Sequence, residues 1–231
     1  MFHFANSYYM DWTIFLIIPG IIVAMWAQSK VNRAYQTYSK MPVRSGITGR
    51  EAASRILAAN GVHHVEILPT SGRLSDNYNP RKKTLNLSES NYSGSSVAAV
   101  AVAAHESGHA LQHSTGYFAL NLRSVIAPVV SAASYLLWPI LILGLMMGFK
   151  QTINIAVTIF LAIFIFQLIT LPVEFNASRR ALAAIQSQGV LTDEEQYGAK
   201  KMLEAAALTY VAATLVALLN VLRFTMLSRR R

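Results

Sequence analysis

The chain has 231 residues, of which 53% are hydrophobic and only 13% charged, about half the charged share usual for a soluble globular protein, which argues against a wholly soluble domain. It has no cysteine, so disulfides, thiolate metal sites and a cysteine nucleophile are excluded, and any metal must sit on His, Asp or Glu. The formal net charge of +9, from 20 Lys and Arg against 11 Asp and Glu, fits a nucleic-acid partner, an anionic membrane or a topology signal, and the placement of the charges decides among these.

Trp12 to Ala27 is uncharged and has Tyr8, Tyr9, Trp12 and Trp26 near its ends, the pattern of a first membrane span within an anchor at 1–27. A secretory signal is the competing reading, but no Lys or Arg precedes the run and no A-x-A pattern closes it. Lys30, Arg33, Lys40 and Arg44 follow the span closely, which puts the N-terminus outside and the next segment in the cytoplasm, a multi-pass plasma-membrane topology. Between Gln28 and Ala104 there are ten basic and four acidic residues, with no interleaved aromatics to stack on bases. Nucleic acid is therefore not an expected partner, and the basic excess reads as topology.

Residues 28–120 have ordinary globular composition and read as a small α+β unit. Val31, Ala34, Tyr35 and Tyr38 recur at helical spacing, and Thr48 and Glu51 form a capping box that opens a helix ending near Gly61. Val65 and Ile67, then Leu85 and Leu87, alternate as strands do, while Asp76-Asn77-Tyr78-Asn79-Pro80 between them reads as a turn. A transmembrane hairpin is predicted within 121–173, its uncharged arms at Ser124–Phe149 and Gln151–Val173 separated by Lys150, with Pro128 and Pro139 as kinks. Residues 174–202 return to the polar unit. The segment 203–231 holds an uncharged run, Ala205 to Leu222, in a helix capped by Thr192 and Glu195. Rich in alanine and including Thr209, Thr214 and Asn220, it reads as the weakest span, with a buried helix as the alternative. The expected class is a mainly α membrane protein with three or four transmembrane helices and a small α+β domain.

The chemistry lies in an alanine-rich helix from Val97 that contains His105-Glu106-Ser107-Gly108-His109. Residues i and i+4 lie one turn apart on one face, so the two imidazoles of an H-E-x-x-H can converge on one ion. Glu106 is rotated by about 100° from His105, beside a metal-activated water and suited to be its general base. A catalytic zinc ordinarily takes three protein ligands. His113 is about 12 Å from His105 along a straight helix, too far to share the ion, and His63 and His64 suit a structural role where a helix gives way to a strand. Glu174 stands directly after the hairpin, where a carboxylate is costly without a partner. Two crossings separate it from His109, so both lie on one side of the membrane; an ion pair with Arg179 or Arg180 is the alternative for Glu174.

The H-E-S-G-H helix, the hairpin and the segment Glu174-Phe175-Asn176-Ala177-Ser178-Arg179-Arg180-Ala181 resemble the neutral zinc metallopeptidases of bacterial membranes, the YugP-like proteins, and more distantly the HtpX-type gluzincins. The resemblance spans nearly the whole chain. It implies a minimal zincin domain with His105, His109 and Glu174 as zinc ligands and Glu106 as the base. HtpX-like enzymes carry an acid four residues after the ligand glutamate, which orients a ligand histidine. Here that position is Ser178, so the partners of the imidazoles stay open, as does the oxyanion group, for which Tyr210, His113 and Arg179 are the candidates.

The expectation is a membrane-bound, zinc-dependent endopeptidase acting on peptides or membrane proteins. By the zincin analogy, an edge strand between Leu74 and Leu87 would pair with the substrate backbone. The rival is a non-catalytic scaffold in which the metal only ties the Glu174 helix to the domain.

Overall fold

The computed structural model describes residues 12–72, 75–147 and 151–229. The Lys150 turn, Leu74 at the start of the expected edge segment, the aromatic pair Tyr8 and Tyr9, and the terminal Arg230 and Arg231 lie outside the described residues.

After a 3₁₀ segment at Trp12–Ile17, α1 (Ile18–Tyr38) begins with a proline in its first turn, where a missing N–H costs nothing. Helix α2 (Gly49–Ala59) starts at the expected capping box: the Glu51 N–H donates to Thr48 Oγ1 at 3.2 Å, and the Thr48 N–H donates to Glu51 Oε2 at 2.9 Å. Three short strands follow, β1 (Glu66–Thr70), β2 (Asn77–Asn79) and β3 (Thr84–Ser88), then a one-turn helix α3 (Glu89–Tyr92) and α4 (Val97–Ser114). The chain closes with α5 (Phe118–Met146), α6 (Gln151–Gln188) and α7 (Asp193–Ser228), the last again opened by its capping box.

Among the described residues, four helical segments are long and apolar enough to cross a membrane: α1 with the 3₁₀ segment before it, α5, α6 and α7. The fourth is not the weakest. Its best 18-residue window has a mean hydropathy of 2.0, equal to that of α5 and above the 1.8 of the first, because Leu215 to Leu222 offset the alanines. Helices α6 and α7 have 38 and 36 residues, about 57 and 54 Å of rod against about 30 Å of hydrocarbon core. Each therefore carries a span and a further stretch without interruption.

Strand order is β1-β3-β2, with β1 parallel and β2 antiparallel to β3. The expected turn at Asp76–Pro80 holds a strand instead. Asn77 accepts from the Asn86 side chain across the pair at 2.6 Å, and Asn79 Oδ1 accepts from the Arg81 and Lys82 N–H groups, both at 3.0 Å. The turn thus falls at Pro80–Lys83, and turn-forming side chains are satisfied across and beyond a strand.

Two buried clusters result. One surrounds α4 and draws on α2 (Ile56, Leu57), β3 (Leu85, Leu87), α6 (Ala181, Ile185) and α7 (Met202, Leu203). The other, between the membrane ends of α5, α6 and α7, contains Leu137, Ile153, Phe160 and Phe224, with the two phenyl rings stacked at 4.7 Å. The first half of α4, Val97–Ala104, is apolar all round because neighbours cover it, and its alanines let them approach. At Gly108 the approach is closest: a Cβ there would lie 2.4 Å from the Ala177 carbonyl oxygen on α6.

Candidate metal centre

That close crossing of α4 and α6 brings the three expected ligands together. Glu174 Oε2 lies 3.2 Å from His105 Nε2 and 3.5 Å from His109 Nε2, and one ligand atom from each residue falls within 4.8 Å of the others. Two atoms held at about 2.1 Å by a tetrahedral ion are about 3.4 Å apart, which is the spacing of Glu174 from each of the two imidazoles. Glu174 is 2% exposed, deep enough that charged and polar partners are needed to hold its charge.

The outer nitrogens of both rings are occupied. Gln112, fully buried, donates its amide N–H groups to the Val173 carbonyl at 2.7 Å and to Asn176 Oδ1 at 3.0 Å. Because a carbonyl can only accept, the amide orientation is decided, and Gln112 Oε1 is left to accept from His109 Nδ1 at 3.0 Å. His109 therefore carries a proton on Nδ1, which leaves Nε2, the nitrogen facing Glu174, as the one available to a metal. Arg180 extends the chain of bonds, donating to Asn176 Oδ1 at 2.9 Å and to the Leu111 carbonyl at 3.2 Å. His105 Nδ1 bonds Ser178 Oγ at 3.2 Å, so a hydroxyl occupies the position where the resembling enzymes have an acid.

Glu106 points elsewhere, as its rotation on the helix predicts. Its carboxylate accepts from the Tyr78 backbone N–H on β2, and burial pushes its carboxyl up to about 7. A cation bound next to it would pull that value down again. The carboxylates of Glu106 and Glu174 and the His109 ring open on a cavity of about 290 Å³ that Arg123, Phe166 and Tyr210 also line.

Arg123 was not singled out by sequence. Its Nη1 is 3.0 Å from Glu174 Oε1, so the carboxylate pairs with Arg123 through one oxygen and faces the imidazoles with the other; neither Arg179 nor Arg180 is its partner. The signal was available, since Arg123 and Glu174 flank the same hairpin and must emerge on one side of the membrane. Gln112 and Tyr78 were missed too. Three residues after His109, Gln112 shares its helix face, whereas nothing local marks Tyr78. Among the oxyanion candidates, Tyr210 lines the cavity, His113 bonds the Tyr78 hydroxyl at 2.7 Å and Arg179 is exposed. His63 and His64 lie exposed between α2 and β1.

Residues 13–229 match the protein family described as "Putative neutral zinc metallopeptidase". The chain is also similar to the "Putative membrane protease YugP" of Bacillus subtilis (strain 168), with 48% identity over 215 residues, 93% of this chain and 95% of that protein. No solved structure matches the chain.

Proposed function

The chain belongs to this family of neutral zinc metallopeptidases, and from that premise we propose that it is a zinc endopeptidase of the gluzincin type, with His105, His109 and Glu174 as the ligands and Glu106 as the general base. The observation that carries this reading is the convergence of two Nε2 atoms on one buried carboxylate oxygen, with both Nδ1 atoms tied down behind them. Zinc, when bound, supplies the Lewis acidity that polarises a carbonyl and acidifies water. Glu106 takes the proton of the attacking water as the new C–O bond forms, and returns it to the leaving amine nitrogen as the C–N bond breaks. Arg123 pairs with one Glu174 oxygen and leaves the other facing the imidazoles. Tyr210, beside Glu174 in the same cavity, would donate to the developing oxyanion.

Strand β2 is the edge of the sheet next to Glu106, and an extended peptide or membrane-protein segment would bind along it by backbone pairing. The segments 28–120 and 174–202 act as one zincin-like unit, facing the cytoplasm by the distribution of Lys and Arg. A purely structural metal would tie α4 to α6 equally well, but it calls for no open cavity, and the one here is lined by Glu106.

The test is Glu106→Gln, which keeps shape and removes the base. It should retain zinc and fold while kcat for an unstructured protein substrate in detergent falls by at least about 100-fold. A zinc-loaded variant as fast as the wild type would sink the mechanism, and a zinc-free one would make Glu106 a ligand or a support of the helix.

A further inference from the structure

The turn that joins β2 to β3 carries three consecutive cations, Arg81, Lys82 and Lys83, all exposed. None of the three is in a salt bridge among the described residues. Glu66 is the nearest acid in register, paired with Thr84 and donating its N–H to the Lys83 carbonyl, so the tip keeps a net positive charge. Its backbone is held firmly: Asn79 Oδ1 caps two N–H groups, and Lys83 sits at a φ of 53°.

The position of this tip relative to α5 is the second observation. Asn79, Pro80 and Arg81 share a cleft of about 360 Å³ with Ser124 and Pro128. Ser124 begins the uncharged run of α5, and Pro128 is one turn deeper, about 6 Å along the axis. The run from Ser124 to Met146 has 23 residues, more than the roughly 20 that cross the hydrocarbon core. Ser124, directly after the charged Arg123, therefore marks the border between the core and the headgroup layer, which adds about 5 to 7 Å on each side of the core. The tip stands at the same level.

We propose that the Arg81-Lys82-Lys83 turn is a binding tip for anionic lipid headgroups, which seats strand β2 on the membrane surface. The chemistry is that of a juxtamembrane basic cluster: flexible cationic side chains over apolar surface, attracted by headgroup phosphates and carboxylates and screened by salt. It does not depend on the metal or on hydrolysis. Seating the turn would also hold β2, whose Tyr78 N–H reaches Glu106, against the wall of the cavity.

The test uses the full chain, which has no cysteine of its own. A fluorophore on Lys82→Cys leaves Arg81 and Lys83 in place, and nitroxide-labelled lipid quenches it when the tip meets the bilayer. Quenching should be at least about twofold stronger in phosphatidylcholine vesicles with about one-third phosphatidylserine than in phosphatidylcholine alone. The excess should vanish at about 0.5 M salt and on adding Arg81→Gln and Lys83→Gln. If that variant misfolds, the salt titration of the otherwise unaltered turn decides alone. Equal quenching in the two lipids, weak or strong, overturns the proposal, the strong case meaning that fold geometry alone seats the tip.

Discussion

Two buried carboxylates, each beside the same pair of histidines, sit in opposite surroundings. Glu174, on α6, faces two imidazoles with one oxygen and the Arg123 guanidinium with the other. Glu106, on α4, is 9% exposed and has one backbone N–H from β2 for a partner, with burial the dominant influence on it. The same functional group is thus set up on one side of the cluster to stay charged and hold a cation, and on the other to exchange a proton near neutrality. Surroundings, not residue type, divide the roles.

The sharpest way to break this contrast is to remove the charged partner. Glu174→Ala should lower zinc affinity by more than about 100-fold, since it deletes a ligand rather than a support, and zinc content after dialysis reads it directly. Equal zinc in wild type and variant would take Glu174 out of the cluster.

The Glu106 side can be tested without metal. Its folded value near 7 lies above the ordinary 4.5, so the native state binds an extra proton between those limits. The stability this confers is complete below about pH 4.5 and lost as the pH rises through about 7. Glu106→Gln has no such proton to lose. In chelator-treated protein it should match the wild type at pH 4.5 and be more stable at pH 8, by up to about 3 kcal/mol. Unfolding in detergent at the two pH values measures this, and a difference that does not change with pH would refute the burial account.

Smaller effects are expected behind the ligands. Gln112→Ala frees the His109 tautomer and should weaken zinc about 10- to 100-fold, in the range typical of groups that orient a ligand. A change below twofold in a zinc titration would mean that α4 alone orients the ring. His113→Ala should be the mildest, leaving zinc affinity within about twofold, because His113 contacts Tyr78 and not the ligands. Zinc loss there would tie β2 to the metal more closely than its contacts indicate.

Much of this was legible in the chain before any tertiary information. The apolar runs, both capping boxes and the pair His105 and His109 depend on contacts within a few residues, and helical periodicity alone puts the two imidazoles on one face and Glu106 off it. Glu174 was legible for a different reason: membrane crossings must be counted in whole passes, so two of them return the chain to the side it left. The strand at Asn77–Asn79 was not legible, because the asparagine side chains that signal a turn are satisfied there by Asn86 and by the following turn.

What the sequence by itself determined is therefore what short-range geometry and hydropathy dictate: the helices, the candidate spans and the identity of the candidate ligands. The tertiary structure alone decided how those ligands are held. Gly108 lets α6 come close enough for Glu174 to meet the histidines, Gln112 and Ser178 occupy the outer nitrogens, and Arg123 arrives from α5. Apart from the Gln112–His109 bond, which lies within α4 but whose amide is oriented by Val173 and Asn176 of α6, each of these contacts joins two helices, and for such pairs distance is a property of packing that no spacing along one helix encodes.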